Sequence, residues 1–149
     1  MNYSINTCVI GHNYAKSILD EILKKNKQLN IKAVCVRKKI SGTSFKTYYS
    51  WKKMINNCHP HLVIIGVPPK IQSKIIKYLI TKKISFFAQK PLTYTCRDAQ
   101  KICYLIEKSK TIKTAIDLNF LELKPIILFK KKISNKPPLK NSEVVITND

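Results

Sequence analysis

The sequence predicts an α/β fold, a doubly wound and mostly parallel sheet of the Rossmann-like, three-layer type. Short apolar runs rich in β-branched residues alternate along the chain with segments whose apolar residues recur at helical spacing. The strand-like runs are apolar throughout, which is typical of strands buried on both faces of a parallel sheet. Strand–helix–strand units join by right-handed crossovers, so we expect helices on both faces of the sheet.

The predicted elements alternate strand and helix over most of the chain. The predicted strands are residues 5–10, 31–36, 62–67, 84–88 and 113–118, and the predicted helices are residues 14–25, 51–55, 71–81 and 96–108. Ser50 and Thr95 stand at positions suited to N-caps, and Gly11 and the Pro68-Pro69 pair mark turns after strands. The pattern weakens after Asn119. We expect one domain over residues 1–120 and a tail over residues 121–149, where residues 143–147 suggest one extra strand.

The formal charge of +20 is the strongest compositional signal. Such a charge usually suggests nucleic acid or another anionic partner. However, Arg37 and Arg97 are the only arginines, and the lysines are spread along the chain. Because arginine is the preferred side chain for reading guanine and phosphate, we expect no specific nucleic-acid partner. Much of the charge is interpreted as codon drift in an A/T-rich genome, with a weak anion contact left open at residues 130–132.

Localisation and redox state are predicted from simple absences in the sequence. No apolar run approaches the roughly 18–20 residues that span a bilayer, and the first residues do not resemble a secretion signal. We therefore expect a soluble cytoplasmic protein with no membrane partner. The cysteines are odd in number and lack a CxxC pair or a histidine at zinc spacing, so we expect reduced, structural thiols and no metal site. Cys8 and Cys35 fall inside predicted strands.

Ligands of doubly wound sheets bind at the carboxyl ends of the strands. After the first predicted strand, a dinucleotide fingerprint would place glycines at 11, 13 and 16, but this chain has Gly11, Asn13 and Lys16. Asn13 tolerates a left-handed backbone, and the helix start at His12, Asn13 and Tyr14 offers N–H groups to a phosphate. An ordinary strand-to-helix turn explains this segment equally well.

The second predicted strand ends in Val36, followed by Arg37, Lys38 and Lys39. NAD-binding domains usually carry an acidic residue there for the ribose hydroxyls. Cations at this place favour a 2′-phosphate, and so NADP over NAD if a dinucleotide binds. A solvated basic turn is the equally weighted alternative.

Two later segments carry a family resemblance. They read GVPPKIQ at residues 66–72 and FFAQKPL at residues 86–92, and are followed by Asp98-Ala99 and Asn119-Phe120. In this order they resemble the Gfo/Idh/MocA oxidoreductases, which include inositol dehydrogenases and glucose–fructose oxidoreductase. The family pattern reads roughly A-T-P-P-x-x-H, a strand ending E-K-P-L, a helix with D-A and a strand ending N-F. The resemblance covers roughly residues 5–125.

The resemblance implies a dinucleotide cofactor, NAD or NADP. Gly11 would form the turn under the pyrophosphate, while Val67 and Pro68 would lie against the ribose and nicotinamide. Gln72 stands where the family commonly has histidine, and its amide oxygen would serve the ribose hydroxyls.

The resemblance also implies a catalytic residue, Lys90, beside the nicotinamide. It would hydrogen-bond the substrate hydroxyl or carbonyl, because a positive donor stabilises a developing alkoxide. Its neighbours Gln89 and Pro91 belong to the same motif, and Pro91 is often cis in the family and aims the lysine.

The sequence departs from the family pattern at several further positions. Asn13 and Lys16 replace fingerprint glycines, Val36 replaces the ribose acid, and Gln89 replaces the glutamate before Lys90. The family's second domain, which shapes the substrate pocket, is also expected to be missing, with residues 121–149 as a remnant of its start. We therefore expect a truncated or degenerate oxidoreductase acting on a sugar, polyol or sugar derivative. The alternative is a non-catalytic nucleotide-binding or regulatory module. Without the second domain, apolar surface would be left uncovered. This would favour a homo-oligomer or a partner chain that supplies the missing domain.

Overall fold

The fold is a six-stranded, all-parallel sheet with helices packed on it. A computed structural model describes residues 4–11, 26–38 and 44–118, with the single positions 124, 127, 128 and 131. The strands are β1 (Ile5–Ile10), β2 (Leu29–Cys35), β3 (Lys46–Tyr48), β4 (Leu62–Ile65), β5 (Ser85–Gln89) and β6 (Thr114–Asp117). The helices of the described ranges are α1 (Trp51–Cys58), α2 (Pro69–Thr81) and α3 (Cys96–Lys108). The predicted fold class is confirmed.

The strand order is β3-β2-β1-β4-β5-β6, and every neighbouring pair is parallel. The chain therefore builds outward from β1 in one direction, then returns to place β4 on the other side of β1. The point between β1 and β4 is the topological switch point, where doubly wound sheets bind their ligands.

Both faces of the sheet contribute to buried clusters, because successive side chains of a strand point to opposite faces. On one face, Cys8 and Ile10 of β1 join Val63 and Ile65 of β4 and the buried sides of the three helices. On the other face, Val9 and Ile64 lie in a second cluster with Ile31 and Val34. This arrangement explains why the central strands read as continuous apolar runs.

Most predicted elements are present with shifted ends. Ser50 caps α1 and Thr95 caps α3, and each side-chain oxygen accepts from the backbone N–H three residues on. Helix α2 begins at Pro69, two residues before the predicted start, because proline fits the first turn of a helix, where its missing N–H costs nothing.

Strand β3 was missed in the sequence. It has three residues, lies at the edge of the sheet and buries none of them fully, so it lacks the apolar run that marks the central strands. The predicted helix 14–25, the Asn119-Phe120 pair and the extra strand at 143–147 lie outside the described residues.

The chain divides into two compact units, Met1–Asp117 and Leu118–Asp149. The first unit contains every element described above. In the described part of the chain, no helix is long and apolar enough to cross a membrane.

Candidate functional site

A cavity of about 750 Å³ opens at the carboxyl ends of β1 to β5, across the switch point. Each strand end or following turn contributes to its wall. The described lining residues are Ile10, Gly11, Cys35, Val36, Arg37, Lys38, Tyr49, Trp51, Gly66, Val67, Pro68, Pro69, Ile71, Ile75, Gln89 and Lys90. We call this space the switch-point cavity.

The floor of the switch-point cavity is set by two glycines that follow adjacent strands. The N–H of Gly11 donates to the carbonyl of Cys35 at 3.0 Å, and that of Gly66 donates to Ile10 at 2.8 Å. Gly11 has a φ of +115°, and a Cβ there would overlap the carbonyl oxygen of Gly66. Only glycine fits this turn, since its backbone adopts positive φ without a side-chain clash.

One wall of the cavity is basic and aromatic. Val36 is buried after β2, and its N–H donates to the carbonyl of Tyr48 at 2.9 Å, which ties this turn to the end of β3. Arg37 and Lys38 follow and are exposed at the rim. Tyr49 is 63% exposed beside them, although its backbone is fixed between β3 and the Ser50 cap.

Trp51 continues this wall from the first turn of α1. Its ring meets Tyr78 of α2 edge-on, with centroids 5.2 Å apart. The ammonium of Lys52 lies 5.5 Å from the Trp51 ring and 5.9 Å from the Tyr78 ring. A ring held in this way presents a fixed surface to the cavity.

The opposite wall comes from the turn after β4 and the end of β5. Val67, Pro68 and Pro69 lead into α2, Gln89 ends β5, and Lys90 follows it. The peptide bond between Lys90 and Pro91 is cis, as the resemblance implied. Lys90 is exposed and lines the cavity, so a ligand in the cavity can reach its ammonium group.

Gln72 lies behind this wall instead of in it. Its side chain is 1% exposed, and its Nε2 donates to the carbonyls of Gln89 (2.7 Å), Pro91 (3.0 Å) and Leu92 (3.1 Å). Its Oε1 is buried and has no hydrogen-bond partner among the described residues. Such an orphaned oxygen costs about 1–3 kcal/mol, which the bonds of Nε2 must offset.

The switch-point cavity is electropositive. Arg37, Lys38 and Lys90 contribute cations, and none of the described lining residues is a carboxylate or an imidazole. The one lining thiol belongs to Cys35, and burial raises its pKa to about 11. That thiol is therefore protonated at neutral pH and is a poor nucleophile. The arrangement suits an anionic ligand that is largely apolar elsewhere.

The family is decided by a comparison with protein-family models. Residues 5–116 match the model described as "Oxidoreductase family, NAD-binding Rossmann fold", named GFO_IDH_MocA. The chain belongs to the Gfo/Idh/MocA family. The match covers the strands from β1 to most of β6, which assigns this part of the chain to the family's NAD-binding domain. A search of curated protein sequences gives no match.

Solved structures of the same fold resemble this Gfo/Idh/MocA chain. Myo-inositol 2-dehydrogenase from Lactobacillus plantarum is 15% identical with a TM-score of 0.79, and the match covers 89% of this chain and 41% of that one. The WlbA dehydrogenase from Bordetella pertussis, in complex with NADH and UDP-GlcNAcA, is 12% identical with a TM-score of 0.79, covering 89% and 40%. GenD2 from gentamicin A biosynthesis, in complex with NAD, is 14% identical with a TM-score of 0.77, covering 89% and 40%. The chain thus spans about 40% of the length of these structures.

Within the Gfo/Idh/MocA chain, the structure brings most of the predicted site residues to one cavity. Those that line it are Gly11, Arg37, Lys38, Val67, Pro68, Gln89 and Lys90. Pro91 and Gln72 are not among the described lining residues, and Gln72 is buried, with its amide bonded to the loop that carries Pro91. His12, Asn13, Tyr14 and Lys39 lie outside the described residues.

The aromatic part of the cavity was not predicted from the sequence. Tyr49 and Trp51 join it only because β3 ends beside β2, and β3 itself was not predicted. The signal available was the pair of aromatic residues on either side of Ser50, a predicted N-cap. The two described histidines, His59 and His61, line a separate cavity at the amino ends of the strands, with Lys82 and Lys83.

Proposed function

We propose that this Gfo/Idh/MocA chain binds NAD(P) in the switch-point cavity and uses Lys90 in hydride transfer to or from a sugar, polyol or sugar derivative. The observation that carries the proposal is the cavity itself. It crosses the switch point of a parallel sheet, combines apolar walls with three cations, and contains no described carboxylate. A dinucleotide offers the matching chemistry, an anionic pyrophosphate between two largely apolar ring systems.

The residues present fit such a cofactor. The turn at Gly11 keeps the space above the ends of β1 and β4 clear of side chains, because a Cβ there would strike Gly66. Arg37 and Lys38 stand at the rim, where they suit a 2′-phosphate on the adenosine ribose. We therefore propose NADP as the preferred dinucleotide. Val67 and Pro68 would cover the ribose and nicotinamide on the side toward β5.

Lys90 would act on the substrate oxygen. When bound, the nicotinamide ring supplies the acceptor or donor of a hydride. When a carbonyl substrate is reduced, its oxygen develops negative charge as the carbon gains hydride, and the oxygen then takes up a proton from water to become a hydroxyl. In the reverse direction the hydroxyl proton leaves to water, the oxygen carries the negative charge, and the carbonyl forms as the carbon loses hydride. The ammonium of Lys90 would donate a hydrogen bond to that oxygen, and a pre-positioned cationic donor lowers the barrier by stabilising the developing charge. The solved structures of myo-inositol 2-dehydrogenase and of the WlbA dehydrogenase in complex with NADH and UDP-GlcNAcA support a polyhydroxylated substrate class.

A second candidate is a non-catalytic nucleotide-binding module of the same fold. One observation favours it. The described lining of the cavity contains Lys90 but no carboxylate or imidazole that could exchange the substrate proton. A chain that binds the dinucleotide tightly and turns over no polyol or sugar would fit this candidate better.

Two measurements separate these functions. Titration with NADP, NADPH, NAD and NADH tests cofactor binding, and reduction of NADP or NAD over a panel of sugars and polyols tests chemistry. Lys90→Met should abolish turnover while dinucleotide affinity changes only a few-fold, since the lysine acts on the substrate. Lys74→Met, an exposed position on α2 outside the cavity, is the matched control and should leave both unchanged. Turnover that survives Lys90→Met would contradict the catalytic role.

A further inference from the structure

The side-chain amide of Gln72 hydrogen-bonds to the backbone before and after Lys90, the residue to which the proposed function gives the catalytic role. Its Nε2 lies 2.7 Å from the carbonyl oxygen of Gln89, before Lys90, and 3.0 and 3.1 Å from those of Pro91 and Leu92, after it. An amide nitrogen has two hydrogens, so three carbonyls share them. The loop of residues 89–92 is thus wrapped around one buried side chain.

The orientation of this amide follows from its surroundings. With the amide reversed, Oε1 would face three carbonyl oxygens and repel all of them, so only the nitrogen can occupy this place. The oxygen is left buried and without a partner among the described residues. The Nε2 of Gln72 is therefore fully hydrogen-bonded while its Oε1 is not. This indicates that the N–H groups, which hold the loop carbonyls, are the functional part of the side chain.

The loop is attached to rigid parts of the fold at two places. Gln72 belongs to α2, whose residues Ile75, Ile76 and Leu79 are fully buried. Further along, the Thr93 hydroxyl donates to the carbonyl of Thr95 at 2.7 Å, and Thr95 caps α3. Lys90 itself is exposed, so the position of its ammonium group depends on the backbone that carries it.

We propose that Gln72 is a positioning residue, which holds the 89–92 loop so that Lys90 lies at the switch-point cavity. The inference rests on the proposed function of that cavity. It differs from the role expected from the resemblance, in which the Gln72 amide oxygen would contact the cofactor ribose. Gln72 acts on the backbone of the loop and does not touch the ligand.

Three variants test this inference. Gln72→Leu removes both donors, and Gln72→His restores one N–H at a similar reach. Ser73→Ala is the matched control. Its hydroxyl is also buried on α2, but it contacts Asp98 (3.4 Å) instead of the loop. Should Gln72→Leu fail to fold, Gln72→Glu keeps the shape of the side chain and replaces the nitrogen with an acceptor.

The first readout uses the free protein. Amide hydrogen exchange of residues 89–95 should rise by on the order of tenfold in Gln72→Leu, relative to residues of α3, because the loop loses its hydrogen bonds to α2. Gln72→His should recover most of the protection, and Ser73→Ala should leave the loop unchanged. Unchanged exchange in the loop of Gln72→Leu would overturn the inference, as would an equal rise over the whole chain.

The second readout reports on Lys90 directly. In the unaltered protein, NADPH should protect both Lys38 and Lys90 from amine acylation, measured by mass spectrometry of the peptides. In Gln72→Leu, protection of Lys38 should persist while that of Lys90 is lost, a split that a general loss of stability would not produce. Equal protection of Lys90 in both proteins would overturn the inference. No protection of either lysine in the unaltered protein would instead contradict the proposed function, and the exchange measurement would still decide whether Gln72 holds the loop.

Discussion

At the scale of single residues, the switch-point cavity depends on positions that tolerate few substitutions. Gly11 combines a positive φ with a close approach to the carbonyl of Gly66, so its lack of a side chain is required by the fold before any ligand is considered. Lys83 is also left-handed, with a φ of 55°, but it lies in an exposed turn after α2. A positive φ therefore excludes a side chain at Gly11, where the carbonyl of Gly66 is close, but is tolerated by Lys83 in its exposed turn.

Gly11→Ala is expected to destabilise the fold by at least about 2 kcal/mol, since it adds a steric clash to a strained φ. Thermal unfolding followed by circular dichroism measures this loss. Lys83→Gly is the contrasting variant and should leave the midpoint unchanged or slightly higher, because glycine adopts positive φ at no steric cost. A midpoint of Gly11→Ala within a degree of the unaltered protein would disagree with the described turn.

Arg37 is expected to set the choice between NADP and NAD. If it faces the adenosine ribose, Arg37→Asp should weaken NADPH by tenfold or more, on the order of the 1.5–3 kcal/mol of a charge-assisted hydrogen bond, and should favour NADH. Arg97→Asp makes the same charge change on α3, away from the cavity, and controls for the net charge. Equal affinities of the unaltered protein for NADPH and NADH would rule out this role.

At the scale of elements, α2 and α3 are joined by the side chain of Asp98. It follows the Thr95 cap in the first turn of α3, and it accepts from Lys77 Nζ at 2.7 Å and from the Ser73 hydroxyl at 3.4 Å. The hydrogen bond from Lys77 lowers the pKa of the carboxyl below its ordinary value. A carboxylate near a helix N-terminus also complements the helix dipole.

The lowered pKa of Asp98 predicts a dependence of stability on pH. A group whose pKa falls on folding stabilises the fold above its unfolded pKa, and that stabilisation is lost as the pH falls through the folded pKa. The contribution should therefore be complete at neutral pH and disappear below about pH 4. Asp98→Asn should flatten this part of the curve of unfolding free energy against pH. The pair is exposed to solvent, so the effect should be small. If the unfolding free energy fell identically at acid pH in Asp98→Asn and in the unaltered protein, the proposed contribution of Asp98 would be contradicted.

Some of these elements could be predicted from the sequence and others could not. Strands β1, β4 and β5 and the caps Ser50 and Thr95 were predictable, because buried parallel strands and N-caps leave local signals. Strand β3 left no such signal, and the aromatic wall at Tyr49 was missed with it. The contacts of Gln72 join residues 17 to 20 positions apart, and nothing local in the sequence indicates which carbonyls a buried amide will meet.

At the scale of the whole molecule, one sheet with two buried faces holds the site and also protects the central thiols. Cys8 is fully buried in β1, and burial, with a further contribution from Cys58, raises its pKa to about 12. Cys96 and Cys103 are exposed on α3. Homo-oligomer formation or a partner chain, expected from uncovered apolar surface, stays a prediction, and a clean monomer in sedimentation would count against it.

Cysteine labelling should therefore separate the exposed thiols of α3 from the buried thiols of the central strands. With iodoacetamide at pH 8, Cys96 and Cys103 should react in the native protein, because both are exposed. Cys8 and Cys35 should react only when the chain unfolds, because they are buried and almost entirely protonated. Mass spectrometry of the labelled peptides, with and without denaturant, measures the rates. Rapid labelling of Cys8 in the native protein would contradict the described core.

Binding of a dinucleotide in the switch-point cavity can be measured by calorimetric titration of the chain with NADPH, NADP, NADH and NAD at modest salt. We expect saturable binding with one site per chain, tightest for the 2′-phosphorylated forms, and weakened by Arg37→Asp but not by Arg97→Asp. An absence of heat for all four, in a chain that unfolds cooperatively and is therefore folded, would leave the fold standing and contradict the proposed function.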